Sequence, residues 1–451
     1  MWVKRNRFVM LLALILSILA LAACSSNEPT NEPADEKPAV NTGTATPSTP
    51  EPITPQEPVT ITIAWPWGEP EYEARFGGIA EKLKDSITIN MIQAQGTKEN
   101  LQELFAAKTV PDIIFANHGL QPLEELDTLM PIDDLMAKHG FDLARINPFQ
   151  LAYVRSIDTK NRLVGLPDGG GFATFFYNKD IFDLFGVPYP DPKKPMTWDE
   201  MLDIAQRMTA TRGGKTYVGF EFTSGPYAPL DEFPANATDP DTGELRLTKD
   251  PAFTKYFELL KRYYSIPGIK EAYGTDMFMA GSGAMTIRWN AFMKSDWKEN
   301  ESFKNSIDIL PMPVWPEQPN LSPVASTTAI TINKYSEQHD AAFQVLAEYY
   351  SEENQIRMIR PAHAYPSVSD MEIVKQWAAD VPGYQGKNME AIFEVERPSY
   401  QPRKSPWDAY IGMPQALEKF MMSDMDVVKF LREWEEEAAG KVKDAMDKYK
   451  Q

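Results

Sequence analysis

Residues 59–64, Val-Thr-Ile-Thr-Ile-Ala, alternate β-branched apolar positions with threonine. This pattern predicts a strand that ends at Trp65-Pro66-Trp67-Gly68. Amphipathic spacing then predicts a segment over 72–85, a second strand over 87–92, a helix over 99–107 and an apolar strand over 112–116. Strand, helix, strand, helix, strand with short connections predicts a mostly parallel sheet covered by helices. The same logic returns from residue 172 without repeating the sequence. Strands are expected over 172–178, 217–222 and 284–288, with helices over 250–264 and 276–280. Another helix opens at Thr197, with Thr197 as cap and Glu200 at the third helical position. A strand over 329–333, a helix over 337–350 and a terminal helix over 427–449 complete the pattern. A folded region this long rarely keeps one core, so two α/β lobes are expected.

Ahead of the first strand the pattern is different. Lys4, Arg5 and Arg7 precede a nearly unbroken apolar run over 8–23 that is too short to span a bilayer, and small residues lead into Cys24. Residues 1–23 therefore read as a secretory signal. Residues 25–58 hold eight prolines and no aromatic residue, so they cannot bury enough apolar surface to offset ordering. Residues 24–58 are expected to be an extended tether. Cys24 is the only cysteine, which rules out a disulfide within the chain and leaves stability to core burial. The formal net charge is -19, and removal of three basic residues with the signal makes the remainder more acidic. That balance excludes a nucleic-acid partner, because no electropositive face can be built.

Leu21-Ala22-Ala23-Cys24 resembles the lipobox of bacterial lipoproteins. The resemblance implies cleavage before Cys24, lipidation of Cys24, and attachment to the outer face of the cell membrane, with the tether suited to a Gram-positive wall. The folded part resembles the extracellular solute-binding proteins of bacterial ABC importers, in particular the maltose-binding-like sugar receptors. Four segments carry the likeness: Pro111-Asp-Ile-Ile-Phe-Ala116; Phe175-Phe-Tyr-Asn-Lys-Asp-Ile-Phe182 with Gly186-Val187; Met196-Thr-Trp-Asp-Glu200; and Phe278-Met-Ala-Gly-Ser-Gly-Ala-Met285. Each is weak alone, and together, in this order behind a lipobox, they are specific. The resemblance implies a two-lobe periplasmic-binding-protein-like α/β fold with an interlobe ligand cleft. Lobe one would comprise 59–168 plus about 324–365, and lobe two about 172–312 plus about 366–451. The hinges would lie near 167–171 and 311–323, which are rich in Gly or Pro.

In such a fold, ligand contacts sit in loops at the carboxyl ends of strands. A sugar ring has apolar C–H faces and a polar rim, so it needs a flat aromatic surface and polar partners at its edge. Trp65 or Trp67 could supply the surface and Glu69 the rim, although both tryptophans could equally fill a hydrophobic corner. Asn117 follows the third strand at the analogous position, with His118 a weaker candidate beside it. Asp168 adjoins Gly169-Gly170-Gly171 in the first crossover. From lobe two come Tyr177, Glu221, Tyr227, Arg288 and Trp289, of which Trp289 leads because the resemblance puts an aromatic platform there. Trp315 and Tyr365 are weaker still.

Enzymatic readings have less support. Carboxylates are abundant, yet none falls in a hydrolase-like motif, the glycines do not end in Gly-Lys-Ser/Thr, and four histidines scattered at 118, 139, 339 and 363 make a poor zinc inventory. The expectation is a monomeric receptor without cofactor or metal. It captures a small molecule, an oligosaccharide, and hands it to ABC transporter permease subunits. A receptor of the same fold for a peptide or another small solute, or a sensory module without transport, stays open.

Overall fold

The alternation over 59–64 forms β1 (Val59–Trp65), in which Ile61 and Ile63 are sealed from solvent while Thr60 faces out. The computed structural model describes residues 57–449 except 223–224, 291, 293–300, 325, 394 and 401. The signal, Cys24 and the tether to residue 56 lie outside the described residues. β1 pairs in parallel with β2 (Ile87–Gln93) on one side and β3 (Ile113–Phe115) on the other. Antiparallel to β3 runs β10 (Ala329–Ile332), which also pairs antiparallel with β4 (Gly165–Pro167), giving the order β2-β1-β3-β10-β4.

The second sheet has β5 (Ala173–Asn178) at its centre, flanked antiparallel by β8 (Met285–Trp289) and β9 (Ile307–Leu310). β6 (Ala210–Arg212) and β7 (Lys215–Tyr217) form a separate hairpin. The architecture is thus two-lobed α/β with a mixed first sheet and an antiparallel second one, which corrects the expectation of mostly parallel sheets. β10 enters the first sheet from late in the chain and runs opposite to β3 and β4. Two further expectations change. The strand expected over 217–222 is reduced to isolated bridges at Val218 and Glu221. At Gly219 the chain lies so close to the Ala205 carbonyl that a Cβ would sit 1.9 Å from its oxygen, leaving the segment pressed against a helix instead of continuing a ladder. Residues 277–280 form turns, not a helix.

The helices lie close to where their caps place them. Thr197 and Glu200 form the reciprocal capping box of helix Trp198–Met208, and Asp250 caps Pro251–Tyr264. Helix Glu69–Leu83 packs against His339–Tyr349 and Glu352–Ile359, so the first core joins residues 61–166 to a returning stretch that begins at Ala329. The terminal helix Val427–Tyr449 buries Phe430, Leu431 and Trp434 against Phe253 and Phe257 of the second lobe. Each such ring removed from water contributes roughly 1.5–3 kcal/mol.

Between the two sheets the chain crosses at Asp168–Phe172, where Gly171 bridges to Ser326. Gly169 and Gly170 both have positive φ, +96° and +39°, and an added Cβ would lie 2.0 Å from the Tyr365 oxygen or 2.2 Å from the Ser326 oxygen. Only glycine satisfies both the dihedrals and the close approach. Within the segment expected as the second hinge, 311–323, Met312 and Trp315 pack into the second core. Among the described residues no helix is long and apolar enough to cross a membrane.

Candidate ligand-binding site

The β5–β8 pairing places Trp289 opposite Ala173 at the strand ends nearest the crossover. The Trp289 indole stays half exposed at 50 % and lies across Gly171, where an added Cβ would meet its Cε3 at 3.2 Å. A cavity of about 120 Å³ opens beside it, reached by Tyr153 of the first lobe and by Tyr227, Asp231, Tyr400 and Lys404 of the second. Tyr153 lies on helix Pro148–Ser156, which packs against β4. Lys404 donates its backbone N–H to the Ser156 carbonyl at 2.8 Å, so the two lobes touch at the rim of this cavity.

The polar groups here are not used up by the fold. Among the described residues neither the Asp231 carboxylate nor the Lys404 ammonium makes a side-chain hydrogen bond or ion pair, although both line the cavity. Burial raises the Asp231 carboxyl from 3.8 to about 6, against the opposing pull of Lys404. The Lys404 ammonium sits 5.8 Å from the Tyr153 ring centre and 5.3 Å from that of Tyr400. Its pKa is raised, by Tyr153 first and then by Tyr400, Asp231 and Asp408, with burial opposing. Tyr227 is half-buried, its phenol raised by burial and then by Asp231. An aromatic face, a carboxylate, an ammonium and three phenols therefore converge on one small space. Such a set can stack on an apolar ring face while accepting from and donating to its hydroxyls.

Of the residues expected from the sequence, Tyr227, Arg288 and Trp289 line this cavity, and the others do not. Arg288 is 6 % exposed and mainly structural: it donates to Glu221 at 2.8 Å, pairs with Asp276, and stacks over Phe292. Glu221 is correspondingly spent, its other oxygen accepting from the Met277 N–H at 2.8 Å. Tyr177 lies four residues beyond Ala173 on β5, about 13 Å away at the usual strand rise. It is buried beside Phe182 and Tyr189, and its phenol is pushed up to about 12 by burial, with Asp308 adding to the effect.

In the first lobe the expected platform at Trp65 does not form. Its ring is fully enclosed by Phe115, Trp67, Phe76 and Tyr72, and its Nε1 donates to the Gly68 carbonyl. Trp67 is 36 % exposed and carries the Arg75 guanidinium 5.2 Å from its ring centre. Glu69 is exposed at the start of its helix. Asn117 is half-buried, its Oδ1 without a hydrogen-bond partner, and His118 is exposed. Asp168 staples the crossover: Oδ1 accepts from Gly170 N, Thr327 Oγ1 and Thr328 N at 2.8, 3.0 and 3.2 Å, and Oδ2 faces Arg75 at 3.6 Å.

Tyr153, Asp231, Tyr400 and Lys404 were not singled out from the sequence. Tyr400 and Lys404 stand in Arg397-Pro-Ser-Tyr-Gln-Pro-Arg-Lys-Ser-Pro406, an aromatic and cationic run broken by three prolines and lacking periodicity. That run was the available signal, since a Pro-rich segment inside a folded domain is a fixed loop that can carry side chains.

A family model described as "Bacterial extracellular solute-binding protein" matches residues 70–356. By sequence, no curated protein matches the chain. Among solved structures, the sugar-binding protein MalE of Xanthomonas citri superposes with a TM-score of 0.70 at 17 % identity, covering 87 % of this chain and 100 % of that one. An open conformation of a sugar transporter protein from Rhizobium etli gives 0.68 at 18 %, covering 84 % and 99 %. An ABC substrate-binding protein of Listeria monocytogenes in complex with cycloalternan gives 0.61 at 17 %, covering 85 % and 98 %. At these identities the likeness is one of fold.

Proposed function

We propose, from the premise that the chain belongs to the family of bacterial extracellular solute-binding proteins, that it captures an oligosaccharide between its lobes and delivers it to an ABC import permease. Membership makes the protein a non-catalytic binder. The observation that carries the saccharide reading is the half-exposed Trp289 ring beside a cavity rimmed by the uncommitted Asp231 and Lys404. A carboxylate and an ammonium lining one cavity suit the donor and acceptor sides of neighbouring hydroxyls, and the indole suits the C–H face. The sugar-binding description of the Xanthomonas citri protein and the cycloalternan bound by the Listeria monocytogenes one support the same reading.

In this reading lobe one comprises 59–168 plus about 324–365 and lobe two about 172–312 plus about 366–451, joined through Asp168–Phe172 and the segment that bridges it at Ser326. Ligand touching Tyr153 of one lobe and Trp289 of the other favours the closed form, because it binds that form more tightly. Lipidation at Cys24 holds a monomeric receptor at the outer face of the cell membrane of a Gram-positive bacterium, close to the permease. A thermal-shift screen of the full chain against mono- and oligosaccharides, amino acids, peptides and polyamines tests the cargo. A rise in melting temperature with saccharides alone is expected. A rise with peptides or polyamines and none with saccharides would replace the sugar.

A further inference from the structure

Beyond the cavity under Trp289 lies a second one of about 300 Å³, in the flank of the second lobe. The two share Tyr227, Asp231, Tyr400 and Lys404, so these four side chains form a waist between adjoining spaces. The lining changes character across that waist. On the far side the walls are Leu230, Ala237, Phe253, Ile411, Met413 and Pro414, all apolar. The one polar group added there is the Asp408 carboxylate, and it is already engaged. Its oxygens accept from Ala237 N at 3.1 Å, Thr238 N at 2.9 Å and Thr238 Oγ1 at 2.6 Å. A further sugar unit in this space would find partners only at the waist and would turn its remaining hydroxyls toward apolar walls, which is unfavourable. An apolar group loses nothing of that kind and gains by burial. The volume is also of the size that holds a small organic group.

The geometry points to a ligand that is more than a plain sugar chain: a saccharide carrying an apolar substituent, an aryl or acyl group, with the sugar beside Trp289 and the substituent past the waist in the Phe253–Met413 pocket. This rests on the saccharide reading of the cleft and adds a second site to it. One molecule is taken to fill both spaces because the same four side chains border each of them.

The pocket is probed by itself with 4-fluorobenzyl alcohol, followed by fluorine NMR line broadening on the full chain. Two filling variants, Ala235→Trp and Met413→Trp, are compared, since both positions line the pocket and are only partly buried. Broadening with wild type, abolished in whichever variant keeps the wild-type melting temperature, is the expected result. No broadening, or broadening that survives both fillings, overturns the proposal. Calorimetry with methyl and benzyl glycosides of maltose, mannobiose and chitobiose then separates it from the cleft reading. A benzyl glycoside binding about tenfold or more tightly than its methyl counterpart supports the coupled site. Equal binding of the pair overturns the substituent pocket and leaves the saccharide cleft standing. Broadening without any glycoside binding removes the saccharide reading instead.

Discussion

Trp65 and Trp289 occupy the same kind of place, the last residue of a strand in each lobe, and have opposite environments. One is fully buried and the other 50 % exposed. The difference lies in the neighbours. Trp65 faces Phe76, Phe115 and Tyr72, which close over it, whereas Trp289 lies against Gly171, a residue with no side chain to cover the ring. An aromatic residue at a strand end keeps an open face only where the surrounding shell is small. The same contrast governs the charges. Asp168 accepts three hydrogen bonds through Oδ1 and ties the crossover together, while Asp231 is left uncommitted beside the second lobe, its carboxyl raised to about 6 by burial.

The largest effect separating the two regions is on stability. Trp65→Ala should cost about 3–5 kcal/mol in chemical denaturation, as for other buried large rings. A cost below about 1 kcal/mol would mean that the corner is not core. Asp231→Asn should do the reverse. The Asp231 carboxyl has a folded value of about 6 against an ordinary 3.8, so the folded chain binds the extra proton between those values. Stability from this group is therefore complete at low pH and is lost as pH rises through about 4 to 6, on the order of 3 kcal/mol. The Asp231→Asn substitution removes that slope, so denaturation midpoints followed from pH 4 to 8 should flatten and stability at pH 7 should rise. An unchanged profile would place Asp231 outside the buried cleft.

Lys404→Met keeps the apolar stem at nearly its full length and removes the charge. Saccharide affinity should fall by about 1.5–3 kcal/mol, the range for a hydrogen bond to a charged group, and titration calorimetry would read it directly. Retained affinity would leave Lys404 as a wall of the cavity only. The smallest effect is expected from Gly171→Ala. Its new methyl would meet Trp289 Cε3 at 3.2 Å, so the ring must give by a few tenths of an ångström, and affinity should drop by less than about tenfold with little change in melting. If instead the variant unfolds, backbone at the crossover, not ring placement, is what Gly171 protects.

Much of the fold could be read from the sequence because its signals are local. The alternation of β1, the Thr197–Glu200 capping box and the terminal helix over 427–449 each follow from residues within a few positions of one another. Failures arose where tertiary contacts decide. β10 joins the first sheet antiparallel from more than 200 residues beyond β3, and the segment over 217–222 is shaped by the helix it leans on at Gly219. The site was legible in the same proportion. Trp289 and Tyr227, which line the cavity beside β8, are legible because a strand end and an aromatic residue can be read locally. Lys404 and Asp231 are not legible, because they come to one cavity from positions more than 170 residues apart. Trp65 was misplaced because sequence shows the ring and not the Phe115 and Phe76 that enclose it.

Titration calorimetry of wild type and Trp289→Ala with the saccharide that most raises the melting temperature tests the central claim most directly. The account predicts that Trp289→Ala keeps the wild-type melting temperature and binds about 30-fold more weakly or worse, a loss of about 2 kcal/mol. Equal affinity in the two proteins would contradict it, and would remove the cavity beside Trp289 as the place where the ligand is held.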